Sequence, residues 1–252
     1  MTLSRSPMSF VYLVRHAQAS FGAQHYDRLS DLGRQQARWL GGYFAERGLR
    51  FARVMAGTLA RQHDTAREVL AAMGADPGAV ATHAGLDEYH GEALYAAWSG
   101  GVDPREHQRA DHRDYWRAFR QAMQAWSEDR LAGVPESWQA FGERVRAGLD
   151  EAVRDTSRDD VVLVVSSGGA IGRALADIAG APACTAIELN LQCRNSGFCE
   201  LIAGSGGTMR LLSFNNVPHL EVAGTPPGDH FRLSGRACVF SRPLPGLPSC
   251  TS

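Results

Sequence analysis

Phe10-Val11-Tyr12-Leu13-Val14 is a short apolar, β-branched run of the kind that forms a buried strand. A polar segment containing Gly22 follows, and Ser30 is placed to cap a helix running to about Arg47. On that helix Leu32, Ala37, Leu40 and Phe44 face inward, and Gly48 stops it. Ala52 to Ala56 reads as a second short strand, and Leu59 to Met73 as a helix closed by Gly74. The pattern then changes. Residues 85–135 are dense in His, Trp, Tyr, Asp and Arg, with Tyr115, Phe119, Met123 and Trp126 at helical spacing. That spacing marks a core stripe rather than a cofactor site. Ser137 caps a further helix with Phe141, Val145, Leu149 and Val153 on one face. Val161 to Val165 is the clearest buried strand, and Gly169 to Ala179 is its following helix, ended by Gly180 and Pro182. Phe198 to Ala203 and Met209 to Phe214 read as strands joined through Gly204-Ser205-Gly206-Gly207 as a hairpin.

Strand–helix alternation predicts an α/β fold, a three-layer sandwich with a mostly parallel central sheet and a helical insertion over the site. A single domain is expected over residues 9–245, with 1–8 and 246–252 as loose termini. The length of 252 residues and 44% hydrophobic content suit one undivided core.

Ligands of such sheets sit beyond the carboxyl ends of the strands. The residues there are Arg15-His16-Ala17 after the first strand, Gly57-Thr58-Leu59-Ala60-Arg61 after the second, and Ser166-Ser167-Gly168-Gly169 after the third. Glu88 opens the insertion. Two arginines, a histidine, a glycine-rich helix start and one acid make an anion site with a nucleophile in it.

Composition narrows the chemistry. All 26 basic residues are arginine, which removes lysine-based phosphate loops, Schiff bases, kinase ion pairs and Ser–Lys dyads. A net charge of −1 argues against nucleic acid as a partner, and no run is long and apolar enough to span a bilayer. The segment before Met8 is polar, unlike a signal peptide, and Met8 is itself a plausible start. The five cysteines form no CxxC pair, so reduced structural thiols in a cytoplasmic protein are expected, and no metal or cofactor is called for.

Leu13-Val14-Arg15-His16-Ala17 resembles the signature of the histidine phosphatase superfamily, also called phosphoglycerate mutase-like. Leu29-Ser30-Asp31-Leu32-Gly33-Arg34-Gln35-Gln36-Ala37 is similar to its L-[ST]-x-x-G-x-x-Q-A stretch. Gly57 to Arg61 with Thr65-Ala66 resembles its S-x-x-x-R-x-x-x-T-A element, and Leu86-Asp87-Glu88 sits where the family places its acid. Val164-Val165-Ser166-Ser167-Gly168-Gly169 is similar to its late V-[ST]-H-G-G motif except at the histidine. The resemblance spans roughly residues 9 to 215.

The resemblance implies a phosphomonoesterase acting on a small phosphorylated molecule through a phosphohistidine on His16. Arg15 and Arg61 would clamp phosphoryl oxygens. Glu88 would protonate the leaving oxygen and then activate water, with Asp87, His90 and Glu92 as competitors. Ser167 and Gly168, together with Gln18 and Ser20 in the loop after His16, would contact substrate; His25, Gln24 and Tyr26 share that loop. Asn195-Ser196 resembles a family position near the pocket, or is a simple turn.

Ser167 stands where the family has a second histidine, as in a bacterial subgroup with similar R-H-[AG]-Q-A-S and S-G-G stretches. Exchanging a charged for a neutral hydrogen bond forfeits on the order of 1–1.5 kcal/mol, roughly tenfold in rate. Three readings follow: a working phosphatase using Ser167, a chain that recruits His219, His90 or His25, and a non-catalytic phosphate- or phosphopeptide-binding module. Mutase-like phosphotransfer is a further alternative, but it asks for a sealed pocket that nothing in the sequence marks. Oligomeric state is open.

Overall fold

The computed structural model describes residues 8–20, 27–204 and 207–221. Its elements run β1 (Met8–Arg15), α1 (Asp31–Glu46), β2 (Arg53–Ala56), α2 (Ala60–Ala72), β3 (Ala81–Thr82), α3 (Gly91–Ser99), α4 (Pro104–Ala110), α5 (His112–Ser127), α6 (Trp138–Ala152), β4 (Val161–Ser166), α7 (Gly168–Ala179), α8 (Ala183–Gln192), β5 (Phe198–Gly204) and β6 (Met209–Asn216). The sheet order is β3-β2-β4-β1-β5-β6. β3, β2, β4 and β1 are mutually parallel, and β5 and β6 complete the sheet antiparallel.

Strand alternation divides the interior into two cores. Val11, Leu13, Met55, Val162 and Val164 point to the face covered by α6, α7 and the insertion. Val14, Val54, Ala56, Leu163 and Val165 point to the face covered by α1 and α2. Both faces are buried, which is why these strands read as continuous apolar runs rather than alternating ones. The helix starts follow side-chain chemistry: Ser30 Oγ accepts the Gly33 N–H at 3.0 Å, and Ser137 Oγ accepts the Ala140 N–H at 3.1 Å.

The expected α/β architecture and the insertion are present. Phe119, Met123 and Trp126 of α5 are buried as expected, with Tyr115 packed against them. Two expectations need correction, and two elements were not expected at all. Met8, placed in the loose N-terminus, is the first residue of β1 and pairs with Gly204. The short edge strand β3 was not foreseen, because two exposed residues carry no alternation. Helix α8 was not foreseen either; its sequence Ala183–Gln192 starts behind Pro182 without a side-chain cap and buries only Ala186 and Ile187. Cys193 and Cys199 are buried free thiols, whereas Cys184 is disulfide-bonded. The segments 1–7, 222–252 and the tip of the β5–β6 hairpin lie outside the described residues.

Candidate active site

The carboxyl ends of β1, β4 and β2 stand side by side, in the register Arg15↔Ser166 and Ala56↔Val165. Beyond them the chain is held tightly. The His16 N–H donates to Ser166 O at 2.8 Å, and the His16 carbonyl accepts from Asn195 Nδ2 at 3.1 Å and the Ser196 N–H at 3.3 Å. Ser196 takes φ +56° to make that approach. The Ala17 N–H donates to Thr65 Oγ1 at 3.0 Å, and that hydroxyl donates to Arg61 O at 2.7 Å.

His16 is 7% exposed. Its Nδ1 lies 2.8 Å from the Ala17 carbonyl, which can only accept, so Nδ1 carries the proton. Nε2 therefore has the lone pair, and it accepts the Arg61 Nε–H at 3.2 Å. Burial first, then the Arg61 and Arg15 guanidiniums, hold the imidazole well below its ordinary pKa of 6.5. The ring is neutral and nucleophilic at Nε2.

Arg15 Nη1 is bonded to the Cys193 carbonyl, but Arg15 Nε is buried and has no partner among the described residues. A buried guanidinium N–H without an acceptor is unfavourable, and an anion would satisfy it. Arg61 is fixed by Asp27, whose carboxylate accepts Arg61 Nη1 at 2.7 Å and the Ala60 N–H at 2.7 Å. The guanidinium is thereby tied to the first turn of α2.

Glu88 Oε2 accepts the Gly169 N–H at 3.0 Å in the first turn of α7. Burial raises its pKa above the ordinary 4.5, opposed by the Gly169 N–H, Arg61 and Arg15. Gly169 has to be glycine, since a Cβ there would lie 2.2 Å from Glu88 Oε1 and 2.3 Å from Tyr89 Cε1. Gly169→Ala is expected to cost about 1–3 kcal/mol through overpacking. It should also lower kcat by displacing Glu88; thermal unfolding and steady-state kinetics read the two effects, and an unchanged kcat would contradict the placement.

The competitors for the acid's role are engaged elsewhere. The Asp87 carboxylate binds the Thr58 N–H and hydroxyl, Glu92 pairs with Arg105 on the surface, and His90 is exposed at the start of α3. The segment that presents Glu88 is held by Arg144 of α6. Its Nη1 donates to Gly85 O at 3.1 Å and Asp87 O at 2.7 Å, its Nη2 to Glu88 O at 3.4 Å, and Glu136 neutralises it at 2.7 Å. Arg144→Ala strands these acceptors and should cost about 1–3 kcal/mol of stability. Misplacing Glu88 should lower kcat ten- to hundredfold, on the order of the sensitivity of reacting groups to small shifts. KM is expected to stay near wild type; a rise in KM with kcat intact would contradict this.

Ser167 is fully buried, and its Oγ does not cap α7 but accepts from Gln62 Nε2 at 2.8 Å. Gly168 opens α7 beside Arg15, a Cβ on it falling 3.6 Å from Arg15 Nε. The Gln18 side-chain oxygen accepts from the Ser30 hydroxyl at 2.8 Å, which ties that oxygen to the cap of α1. Ser20 is half-buried, its N–H on Arg28 O at 2.8 Å. His25, Gln24 and Tyr26 lie outside the described residues. His219 is buried with Nε2 2.8 Å from Ser196 Oγ and its ring near Tyr43 and Phe198. Burial lowers its pKa to about 3, and among the described residues it has no bond to His16, Arg15, Arg61 or Glu88.

Several site residues were missed at the sequence level: Asp27, Gln62, Arg144 and Asn190. Asn190 Nδ2 donates to Tyr89 Oη at 3.1 Å over the Glu88 loop. For Gln62 a signal existed. It shares the inward face of α2 with Thr65, Ala66 and Val69, so a polar side chain stood at a core position.

Fold and site together define an α/β protein with a buried, arginine-flanked histidine at its strand ends. Residues 11–217 match the profile of the histidine phosphatase superfamily (branch 1), and the chain belongs to that superfamily. A phosphoglycerate mutase from Bacillus anthracis is 18% identical with a TM-score of 0.59, over 85% of this chain and 96% of its own. A mycobacterial glucosyl-3-phosphoglycerate phosphatase is 21% identical with a TM-score of 0.58, over 82% and 99%. A mutant phosphoserine phosphatase from Entamoeba histolytica, in complex with phosphoserine, is 17% identical with a TM-score of 0.59, over 84% and 99%. These similarities show the fold. A search of curated protein sequences found no match. Among the described residues no helix is long and apolar enough to cross a membrane.

Proposed function

We propose that the chain is a metal-independent phosphomonoesterase working through phosphohistidine on His16. The observation that carries this reading is the fixed tautomer of His16: Nδ1–H on the Ala17 carbonyl and a lone pair on Nε2 facing Arg61, with the Arg15 charge also acting on the ring. In the first step Nε2 attacks phosphorus, the bond to the leaving oxygen breaks, and the Glu88 proton passes to that oxygen. In the second, Glu88 takes a proton from water, the resulting oxygen attacks phosphorus, and the P–N bond breaks to release inorganic phosphate and free His16. Arg15, Arg61 and the N–H groups opening α7 neutralise the phosphoryl oxygens in both steps. The substrate is a small phosphorylated molecule. Similar folds include one in complex with phosphoserine and one with inorganic phosphate, which supports a ligand of that class.

A binding-only module would need the clamp but has no use for Glu88, a carboxylate placed beside the arginines with its proton affinity raised. The test is release of phenolate from an aryl phosphate across pH, with and without a chelator. Turnover unaffected by the chelator is expected. Tight phosphate binding without turnover of any ester would sink the reading, and loss of turnover to the chelator would sink metal independence.

A further inference from the structure

Gln62 is fully buried next to Arg61, yet it touches neither His16 nor Glu88 through any bond among the described residues. Its Nε2 lies 3.0 Å from Leu86 O and 2.8 Å from Ser167 Oγ. A carbonyl oxygen only accepts, so the atom facing Leu86 must be the amide nitrogen, and the orientation of the amide is settled. Both amide protons are then used, one on Leu86 O and one on Ser167 Oγ. Gln62 Oε1 is left buried without a partner among the described residues. It fits only because residue 57 is glycine, where a Cβ would lie 2.0 Å away. An apolar side chain would fill this space without burying an unpaired oxygen, so packing alone does not explain a glutamine here.

The direction of the second bond matters. A hydroxyl has one proton and two lone pairs. With one lone pair taken by Gln62, and with no acceptor for the Ser167 proton among the described residues, that hydroxyl is a donor in waiting. It stands at the start of α7, between the Gly169 N–H that holds Glu88 and Ser166, whose carbonyl holds His16. We propose that Gln62 is a positioning residue that commits the Ser167 hydroxyl as a hydrogen-bond donor to the transferring phosphoryl group. Gln62 and Ser167 thus act as one unit where Ser167 alone would be free to turn. The inference rests on the phosphatase reading and deepens it.

A double-mutant cycle tests it. Ser167→Ala is expected to lower kcat on an aryl phosphate about three- to tenfold, the worth of one neutral hydrogen bond, with KM little changed. Gln62→Met should lower kcat by a similar factor, and the double mutant should be no slower than the slower single mutant. Unfolding temperatures are followed in parallel; a merely structural Gln62 would move them while its kcat effect multiplied with that of Ser167→Ala. Multiplying effects, or a Gln62→Met enzyme with wild-type kcat, would overturn the proposal. If Gln62→Met does not fold, Gln62→Leu replaces it in the same cycle. If the wild type releases no phenolate, the phosphatase reading falls, and the cycle is read on orthovanadate affinity by calorimetry. There, coupled losses support the pair and independent losses overturn it.

Discussion

His16→Ala is expected to lose at least about 10,000-fold in turnover of an aryl phosphate, since removing a nucleophile abolishes the pathway rather than weakening it. The fold should survive. The backbone around residue 16 is pinned by Ser166, Asn195 and Ser196 through its own N–H and carbonyl, none of which the substitution removes. The side chain contributes one bond to its neighbour's carbonyl and one to Arg61. Phosphate binding should therefore persist in the mutant, because Arg15 and Arg61 are held independently by the Cys193 carbonyl and by Asp27. Steady-state rates and phosphate calorimetry on the same preparation check both halves. A mutant that turned over at even a tenth of the wild-type rate would remove His16 from the chemistry.

Glu88→Gln is expected to lower turnover about 100- to 10,000-fold on esters with poor leaving groups, the usual worth of a general acid–base. Glutamine keeps the shape, and its oxygen can still accept the Gly169 N–H; its amide nitrogen replaces Oε1 and gives up only the 3.2 Å bond from the Tyr89 N–H, so the main change is the proton. The pH dependence follows from the two shifts. His16, held well below 6.5, is a free base across the neutral range, and Glu88, raised above 4.5, must be protonated for the first step. kcat/KM should therefore fall as pH rises through the raised Glu88 value, and on an activated aryl ester Glu88→Gln should flatten that limb. Stability should fall over the same pH range. A carboxyl whose folded pKa is raised holds its proton more tightly in the folded state. It therefore costs stability as pH rises from its unfolded value through its folded one. Glu88→Gln removes that penalty, so the mutant should melt higher than wild type at neutral pH. A mutant that kept the descending limb, or melted lower at neutral pH but not in acid, would contradict the placement of Glu88.

Much of this arrangement was legible in the sequence because it is local. Strands β1, β2 and β4 are apolar runs buried on both faces, and their carboxyl ends are where ligands of such sheets sit. Arg15, His16, Arg61 and Glu88 could be marked from that rule and from the motif spacing, and the structure places them around one buried point. What escaped is non-local. Asp27 reaches Arg61 across 34 positions, Arg144 reaches the Glu88 loop across 56 to 59, and Gln62 reaches Ser167 across 105. No periodicity or cap signal spans such gaps, because each of these side chains acts on a segment brought to it only by the folded sheet. Ser167 shows the same divide. Its departure from the family pattern is visible in the sequence, but its partner is not, which is why a recruited histidine stands among the sequence readings. His219, one of those candidates, is instead bonded to Ser196 and packed against Tyr43 and Phe198.

The central claim is a covalent bond between phosphorus and His16, and trapping it is the most direct test. The Glu88→Gln enzyme, whose second step lacks its base, is mixed with an aryl phosphate, quenched in alkali and digested for mass spectrometry. The expected result is a phosphoryl adduct on the His16 imidazole that survives alkali, is lost in acid, and forms with a burst of one phenolate per chain. Phenolate release by the wild type with no adduct on His16 in either enzyme, or an adduct on another residue, would contradict it.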